Sequence, residues 1–247
     1  MRNTKAIYIK QIQSQLRNPV LLFQAFLFIV MVLVFTFIIG GEDETDPCET
    51  CIPAHKCQVC LEEYEPETAP SLAGLFTVMF VGLVLVGSAS SLVLEDKTTQ
   101  NLRFMTMAGV RPGQYLVGTA TSIFTLSIGV VILFSLVGWY VGADMVRFVS
   151  IAATGSLVSI LLGIAIGLSK APGLAAPFSM MLGLGPMLST FNDTLARVLW
   201  FTYTQQVNLA VSDLSQDLSS NFLVIGANGA VMLILFAWMH RKGALRW

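Results

Sequence analysis

Long apolar runs alternate with short charged segments along the chain. Six stretches lack Asp, Glu, Lys and Arg: Asn18–Gly41, Thr68–Leu94, Pro112–Ala143, Phe148–Ser169, Ala171–Asn192 and Leu218–Met239. A helix needs about 20 mostly apolar residues to cross a hydrocarbon core about 30 Å thick. Each stretch is long enough, so the pattern predicts six spanning helices, the third entering the membrane at Gln114. A further charge-free stretch, Val198–Ser212, is short and carries Thr202, Thr204, Gln205, Gln206 and Asn208. It is too polar to cross unaided, so residues 193–217 are expected to form an outer, re-entrant segment before the last span.

Residues 1–17 behave differently. Tyr8, Ile9, Ile12 and Leu16 fall at helical spacing among basic and Gln residues. This pattern predicts an amphipathic helix on the inner membrane surface, with its cations toward anionic headgroups. The apolar run that follows, Val20–Ile39, exceeds the 7–15 residues of a signal-peptide core and no A-x-A-like site follows it, so it reads as a retained helix.

Composition narrows the class. Of 247 residues, 55% are hydrophobic and 12% are charged, and the mean hydropathy is +0.72. A soluble domain carries about 25% charged residues, so a soluble or disordered chain is excluded. The net charge of -1 gives no basis for nucleic-acid binding. Charge position then sets orientation. Arg2, Lys5, Lys10 and Arg17 precede the first span, and residues 42–67 hold nine acids against one base, Lys56. With six spans and both termini inside, eleven of the fourteen Lys/Arg are cytoplasmic, as the positive-inside rule requires. Residues 240–247 are then a cytoplasmic tail. The Lys170-Ala171-Pro172-Gly173 run reads as a tight cytoplasmic turn.

The acidic outer loop contains Cys48, Cys51, Cys57 and Cys60 as two C-x-x-C pairs. Such pairs can ligate zinc tetrahedrally, but only Ile52–Lys56 separate them, and an outer compartment favours disulfides. Disulfides are the expected state, with zinc the alternative; the spacing does not fix the pairing.

Residues 95–113 form the longest internal cytoplasmic stretch. Leu102, Phe104, Met105 and Met107 give it an apolar face, and Gly109 and Pro112-Gly113 end it. A connector between spans has no need of an apolar, Met-containing helix, so a partner surface is expected there. Within the spans, Gly138/Gly142 and Gly163/Gly167 have the G-x-x-x-G spacing that lets helices approach.

The spans as drawn hold no ionisable residue, and no G-x-x-x-x-G-K-[ST] occurs. Ion-coupled transporters bury ionisable groups near the midplane, and a nucleotide-driven machine needs a phosphate loop. His55 and His240 lie far apart, leaving no His-based catalytic constellation. The chain is therefore not read as an enzyme, and a partner must supply any energy it uses.

One run is more specific. Leu94-Glu95, Thr99 and Leu102, Met107-Ala108-Gly109-Val110 and Tyr115-Leu116-Val117-Gly118 resemble the segment after span two of ABC transporter permeases of the type-2 exporter class. Thr119 stands where a Lys is common there, and Trp200–Gln206 lacks a frequent Pro. The resemblance implies an all-α membrane domain with an N-terminal connecting helix, six spans, a coupling helix at 95–113 and a re-entrant segment before span six. It implies the pore-forming subunit of an exporter in a bacterial plasma membrane, working as a dimer with a second permease copy or related chain. A separate cytoplasmic ATPase would hold the ATP and Mg. Leu102, Phe104 and Met105 are the expected ATPase contacts, with Glu95 and Arg103 orienting it by charge. The substrate stays open. So do an ATP-independent transporter or channel, a membrane-anchored redox or metal protein built on the four-Cys loop, and an assembly or immunity protein.

Overall fold

The structure, a computed structural model, describes residues 2–17, 23, 26–34, 70–107, 109–169, 172–189, 192–214 and 218–241. Every regular element among them is helical. Helix α1 is Arg2–Arg17. Helix α2 (Pro70–Met79), a π-helical turn (Phe80–Val84) and α3 (Leu85–Thr98) follow one another without a break. Then come α4 (Asn101–Met107), α5 (Pro112–Val137) and α6 (Ala143–Leu168). A 3-10 turn (Pro172–Leu174) leads into α7 (Ala175–Ser189), followed by α8 (Asp193–Leu199), α9 (Tyr203–Ser212) and α10 (Ser219–Arg241). The four cysteines and the acidic loop lie outside the described residues, as does most of the expected first span, of which 26–34 are helical.

Four of the described helices are long and apolar enough to cross a bilayer: Ala73–Thr98, Gly113–Val137, Ala143–Leu168 and Ser219–Trp238. Three boundaries differ from the sequence expectation. The second span continues to Thr98, so Glu95 and Asp96 belong to the spanning helix rather than to the connector. The fourth begins at Ala143, which places Asp144 and Arg147 in its first turns. The stretch expected as a fifth span is shorter than drawn. Pro172–Leu174 forms a separate turn, and α7 has 15 residues with Pro186 inside it. At 1.5 Å per residue α7 is about 22 Å long, less than the hydrocarbon thickness of about 30 Å.

Helices α3 and α6 run parallel in close contact, and glycine makes this possible. A Cβ on Gly163 would lie 2.6 Å from the Val86 carbonyl oxygen, and one on Gly167 would lie 2.8 Å from that of Ser90. This G-x-x-x-G pair is therefore a true contact stripe. Gly138/Gly142 is not: Gly138 caps α5, and Gly142, at φ 62°, precedes α6 with open space around it. The turn between them buries Tyr140, stacked 4.6 Å from Phe148, and leaves Trp139 exposed in a left-handed conformation at φ 56°. Helix α5 is antiparallel to the α2–α3 helix. Phe80 meets Phe134 edge-on at 5.7 Å near one end, and Asp96 meets Tyr115 at the other. The backbone of α7 crosses the π-helical turn, where a Cβ on Gly82 would lie 2.6 Å from the Leu182 carbonyl.

The α8–α9 hairpin sits among the longer helices. Thr202, Tyr203, Thr204, Gln205, Gln206 and Asn208 are all buried. Ser189 donates to Gln205 Oε1 at 2.8 Å, Ser159 donates to the Tyr203 hydroxyl at 2.8 Å, and Asn228 donates to the Phe201 carbonyl at 3.0 Å. Tyr203 and Gln205 find partners on α6 and α7, Thr202 and Gln206 bond the hairpin's own Leu199 and Trp200 carbonyls, and Thr204 Oγ1 is buried without a partner.

Charge lies at the two ends of the bundle. Lys10, Asp96 and Lys97 mark one end; Asp144, Arg147 and Arg197 mark the other. Between Arg147 and the end of α6, 21 helical residues span about 31 Å, matching a hydrocarbon core.

Candidate coupling site at the Asp96 end of the bundle

Backbone chemistry builds the site. The turn after α3 is closed by Thr99 N–H to Glu95 O at 2.9 Å and Gln100 N–H to Lys97 O at 3.3 Å. Gln100, at φ 57°, redirects the chain into α4. Helix α4 ends as Gly109 predicts: its φ is 76°, and Val110 N–H reaches back to Met105 O at 3.0 Å. This is the Schellman arrangement, which favours glycine because other residues pay for the left-handed backbone. Arg111 is extended, as a residue before proline prefers. Its N–H bonds Gln114 Oε1 at 3.2 Å as Pro112 opens α5.

This helix–turn–helix path brings Asp96 and Tyr115 together. The Tyr115 hydroxyl donates to Asp96 Oδ2 at 2.9 Å, and Gln11 Nε2 of α1 donates to the same oxygen at 2.7 Å. On the other oxygen, Asn101 Nδ2 of α4 donates to Oδ1 at 3.3 Å, with Lys10 Nζ at 3.7 Å. Asp96 is 6% exposed. One buried carboxylate thus receives partners from α1, α4 and α5 while standing on α3. A carboxylate out of water needs such donors, because an unpaired buried charge costs several kcal/mol.

Helix α1 is present and packs one face on the bundle. Its buried stripe is Ile7, Gln11 and Gln15, whereas Ile9 and Leu16 are exposed. The glutamines face the bundle because the bundle offers them partners. Besides the Gln11–Asp96 bond, Gln15 Nε2 donates to Ser122 Oγ at 3.2 Å, and Tyr8 donates to Thr125 Oγ1 at 3.4 Å. Helix α1 is therefore docked on α5. Gln15 Oε1 is buried without a partner and borders a cavity of about 20 Å³ lined by Phe80, Val84, Ile123 and Ser127.

The expected ATPase-contact residues divide. Leu102 is 4% exposed and packs into the bundle's own core. Met105 is half-buried against the same core. Phe104 is 63% exposed and Met107 is 68% exposed. The Glu95 side chain is exposed, while its carbonyl accepts from Thr98 and Thr99 hydroxyls. The Arg103 side chain lies outside the described residues. Next door, Lys97 Nζ donates to Ser169 O at 3.0 Å, placing a cation at the C-terminus of α6.

Asp96 was passed over in the sequence, although a signal for it was there. Val86, Ala89, Val93 and Asp96 follow helical spacing, and all four are buried. The carboxylate stands where the apolar stripe would continue.

Among the described residues, an all-helical bundle with four helices long and apolar enough to cross a bilayer fits a membrane-embedded domain. Residues 2–190 match the ABC-2 type transporter family, and the chain belongs to it. No curated protein and no solved structure matches the chain.

Proposed function

We propose that this chain is the permease subunit of an ATP-driven exporter and that α4 is the helix its ATPase grips. The observation that carries this reading is the exposure of Phe104 and Met107, side by side on a seven-residue helix beyond the apolar spans. Exposed apolar side chains on a helix anchored at both ends suit a docking knob for a partner. Family membership supports the permease role and gives that partner its class, an ABC ATPase carrying ATP and Mg.

In this reading the helix containing 26–34 and α7 complete six spans, with α7 assisted by the 3-10 turn before it. The α8–α9 hairpin is the re-entrant segment on the outer side. Both termini are cytoplasmic, and two permease copies, or one with a related chain, enclose the pathway in a bacterial plasma membrane. ATP binding closes the ATPase pair and displaces α4, switching the membrane domain between two packed arrangements. Leu102 serves as the inner anchor of α4 and Phe104 and Met107 as its outer contacts, with Glu95 and Arg103 steering the partner.

The test is co-purification. Phe104→Asp with Met107→Asp should reduce recovery of a P-loop ATPase with the tagged permease by 10-fold or more, the loss of one or two interface anchors. Membrane insertion should be unchanged. Equal ATPase recovery from the double variant would overturn the assignment of α4.

A further inference from the structure

We infer that Asp96 is the positioning residue that joins α4 to α1 and α5, so that the three helices move as one body. This rests on the reading of α4 as the ATPase-gripped helix. Four partners from three elements converge on the carboxylate: Lys10 and Gln11 from α1, Asn101 from α4, and Tyr115 from α5.

Helix α4 has seven residues, too few to hold a helix without help. Its hold on the bundle comes from buried Leu102 and half-buried Met105, the Asn101–Asp96 bond and its two turns. A push on α4 therefore reaches the spans through few contacts, and the Asp96 cluster is the polar one. The chemistry makes that contact stiff. Pulling α4, α1 or α5 away would strip a donor from a carboxylate that is out of water, which costs more than parting neutral groups. Apolar contacts such as that of Leu102 can slide; hydrogen bonds to a fixed carboxylate fix direction as well as distance.

Geometry extends the body along α1. Gln11 and Gln15 lie one turn apart, the first on Asp96 and the second on Ser122 of α5. Helix α1 is thus tied to the end of α3 and to the first half of α5. A displacement at α4 would tilt α1 and the start of α5 together.

The experiment uses the permease–ATPase complex in lipid nanodiscs, with the four cysteines replaced by Ser and spin labels on exposed Gln13 of α1 and Gln100 at the start of α4. A second labelled pair, Gln100 with Trp139 at the opposite end of α5, reports the switch itself. The Gln13–Gln100 distance should be identical without nucleotide and with ADP–vanadate, while the Gln100–Trp139 distance changes. In Asp96→Ala the Gln13–Gln100 distribution should broaden or shift with nucleotide. ATP hydrolysis should continue within about 3-fold of the parent rate, while the Gln100–Trp139 change shrinks. Asp96→Glu should restore part of the parent behaviour, which a mere packing role would not produce. Should Asp96→Ala fail to fold, Gln11→Leu and Tyr115→Phe remove single arms and should broaden the Gln13–Gln100 distribution to a lesser degree. A parent Gln13–Gln100 distance that changes with nucleotide would overturn the inference, as would a variant indistinguishable from the parent. Failure of the underlying reading looks different: no ATPase binds, or neither pair responds to nucleotide in the parent.

Discussion

Single atoms decide how close the helices come. At Gly163 the space for a Cβ is taken by the Val86 carbonyl and the Ala89 methyl, 2.6 and 2.7 Å away. Neither can rotate aside, so Gly163→Ala must push α3 and α6 apart. It is expected to cost about 1–3 kcal/mol, the range for overpacking a close-packed interior. Gly87, on the same α3, meets nothing within 4 Å, so Gly87→Ala should be neutral or gain up to about 1 kcal/mol through the unfolded chain. Thermal unfolding in detergent checks both, and similar losses for the two would refute the packing argument. Gln15 makes the opposite point. Its Nε2 is bonded to Ser122, but its Oε1 is buried without a partner, and an orphaned acceptor costs about 1–3 kcal/mol. Ser122 keeps its own bond to the Thr119 carbonyl at 2.8 Å when Gln15 is removed. Gln15→Leu should therefore hold or raise the melting temperature. A fall of more than about 4 °C, roughly 1 kcal/mol for a chain of this size, would show that Oε1 has a partner. The Gly163/Gly167 spacing was legible in the sequence because a period of four is a local signal. For Asp96 only the spacing was local: it places the residue on the Val86–Ala89–Val93 stripe, but its partners Gln11, Asn101 and Tyr115 come together only in the fold.

Elements were easier to find than their faces. The helical pattern of residues 2–17 matches α1, but the spacing of Tyr8, Ile9, Ile12 and Leu16 does not announce that Gln11 and Gln15 pack into the bundle. Two glutamines lie inside, where they donate to Asp96 and Ser122, and Ile9 and Leu16 lie on the exposed side. The end of α4 was legible from Gly109, whose left-handed backbone closes the Schellman turn. Its start was not: the turn at Thr99 and Gln100 uses a non-glycine residue at positive φ, which the sequence does not announce. The terminating turn carries a prediction. Gly109 has open space around its Cα, so Gly109→Ala adds no clash and only a left-handed alanine, a penalty of about 1–2 kcal/mol. The cost should fall on α4 alone. Amide exchange of α4 should rise about 5- to 30-fold, the rate equivalent of that range, while α5 and α6 stay unchanged. Loss of protection throughout the bundle would mean that α4 is not a separate local unit.

For the whole molecule, the order and direction of α3, α5 and α6 fix which loops share a side. Lys97 reaches the carbonyl of Ser169, so the ends of α3 and α6 lie together. Helix α5 is the single crossing between them, which puts the 138–142 turn at the opposite end with Arg147. There, Arg147 Nη1 donates to the Leu214 carbonyl at 2.8 Å and ties the start of α6 to the end of the α8–α9 hairpin. Helix α10 is peripheral, with 6% of its apolar window buried, and the packed interior is made mainly by the α2–α3 helix, α5, α6, α7 and the hairpin. The sequence carried this architecture through charge: cations collect at the Lys97 end because lysine and arginine are costly to move across a bilayer. It did not carry the shortness of α7, because the Pro172–Leu174 turn that precedes the helix sits in an apolar run and leaves its hydropathy high. The cytoplasmic orientation proposed for the Lys97 end rests on the same charge argument and can be measured. In intact cells, with the four native cysteines changed to Ser, Trp139→Cys and Asp144→Cys should react with a membrane-impermeant maleimide. Gln100→Cys and Gly173→Cys should react only after the membrane is opened. Reversal of all four would keep the packing and invert the protein, moving α4 out of reach of any cytoplasmic motor. Labelling of Gln100 and Gly173 from opposite sides would break the parallel α3–α6 arrangement itself, which Gly163, Gly167 and Lys97 together hold in place.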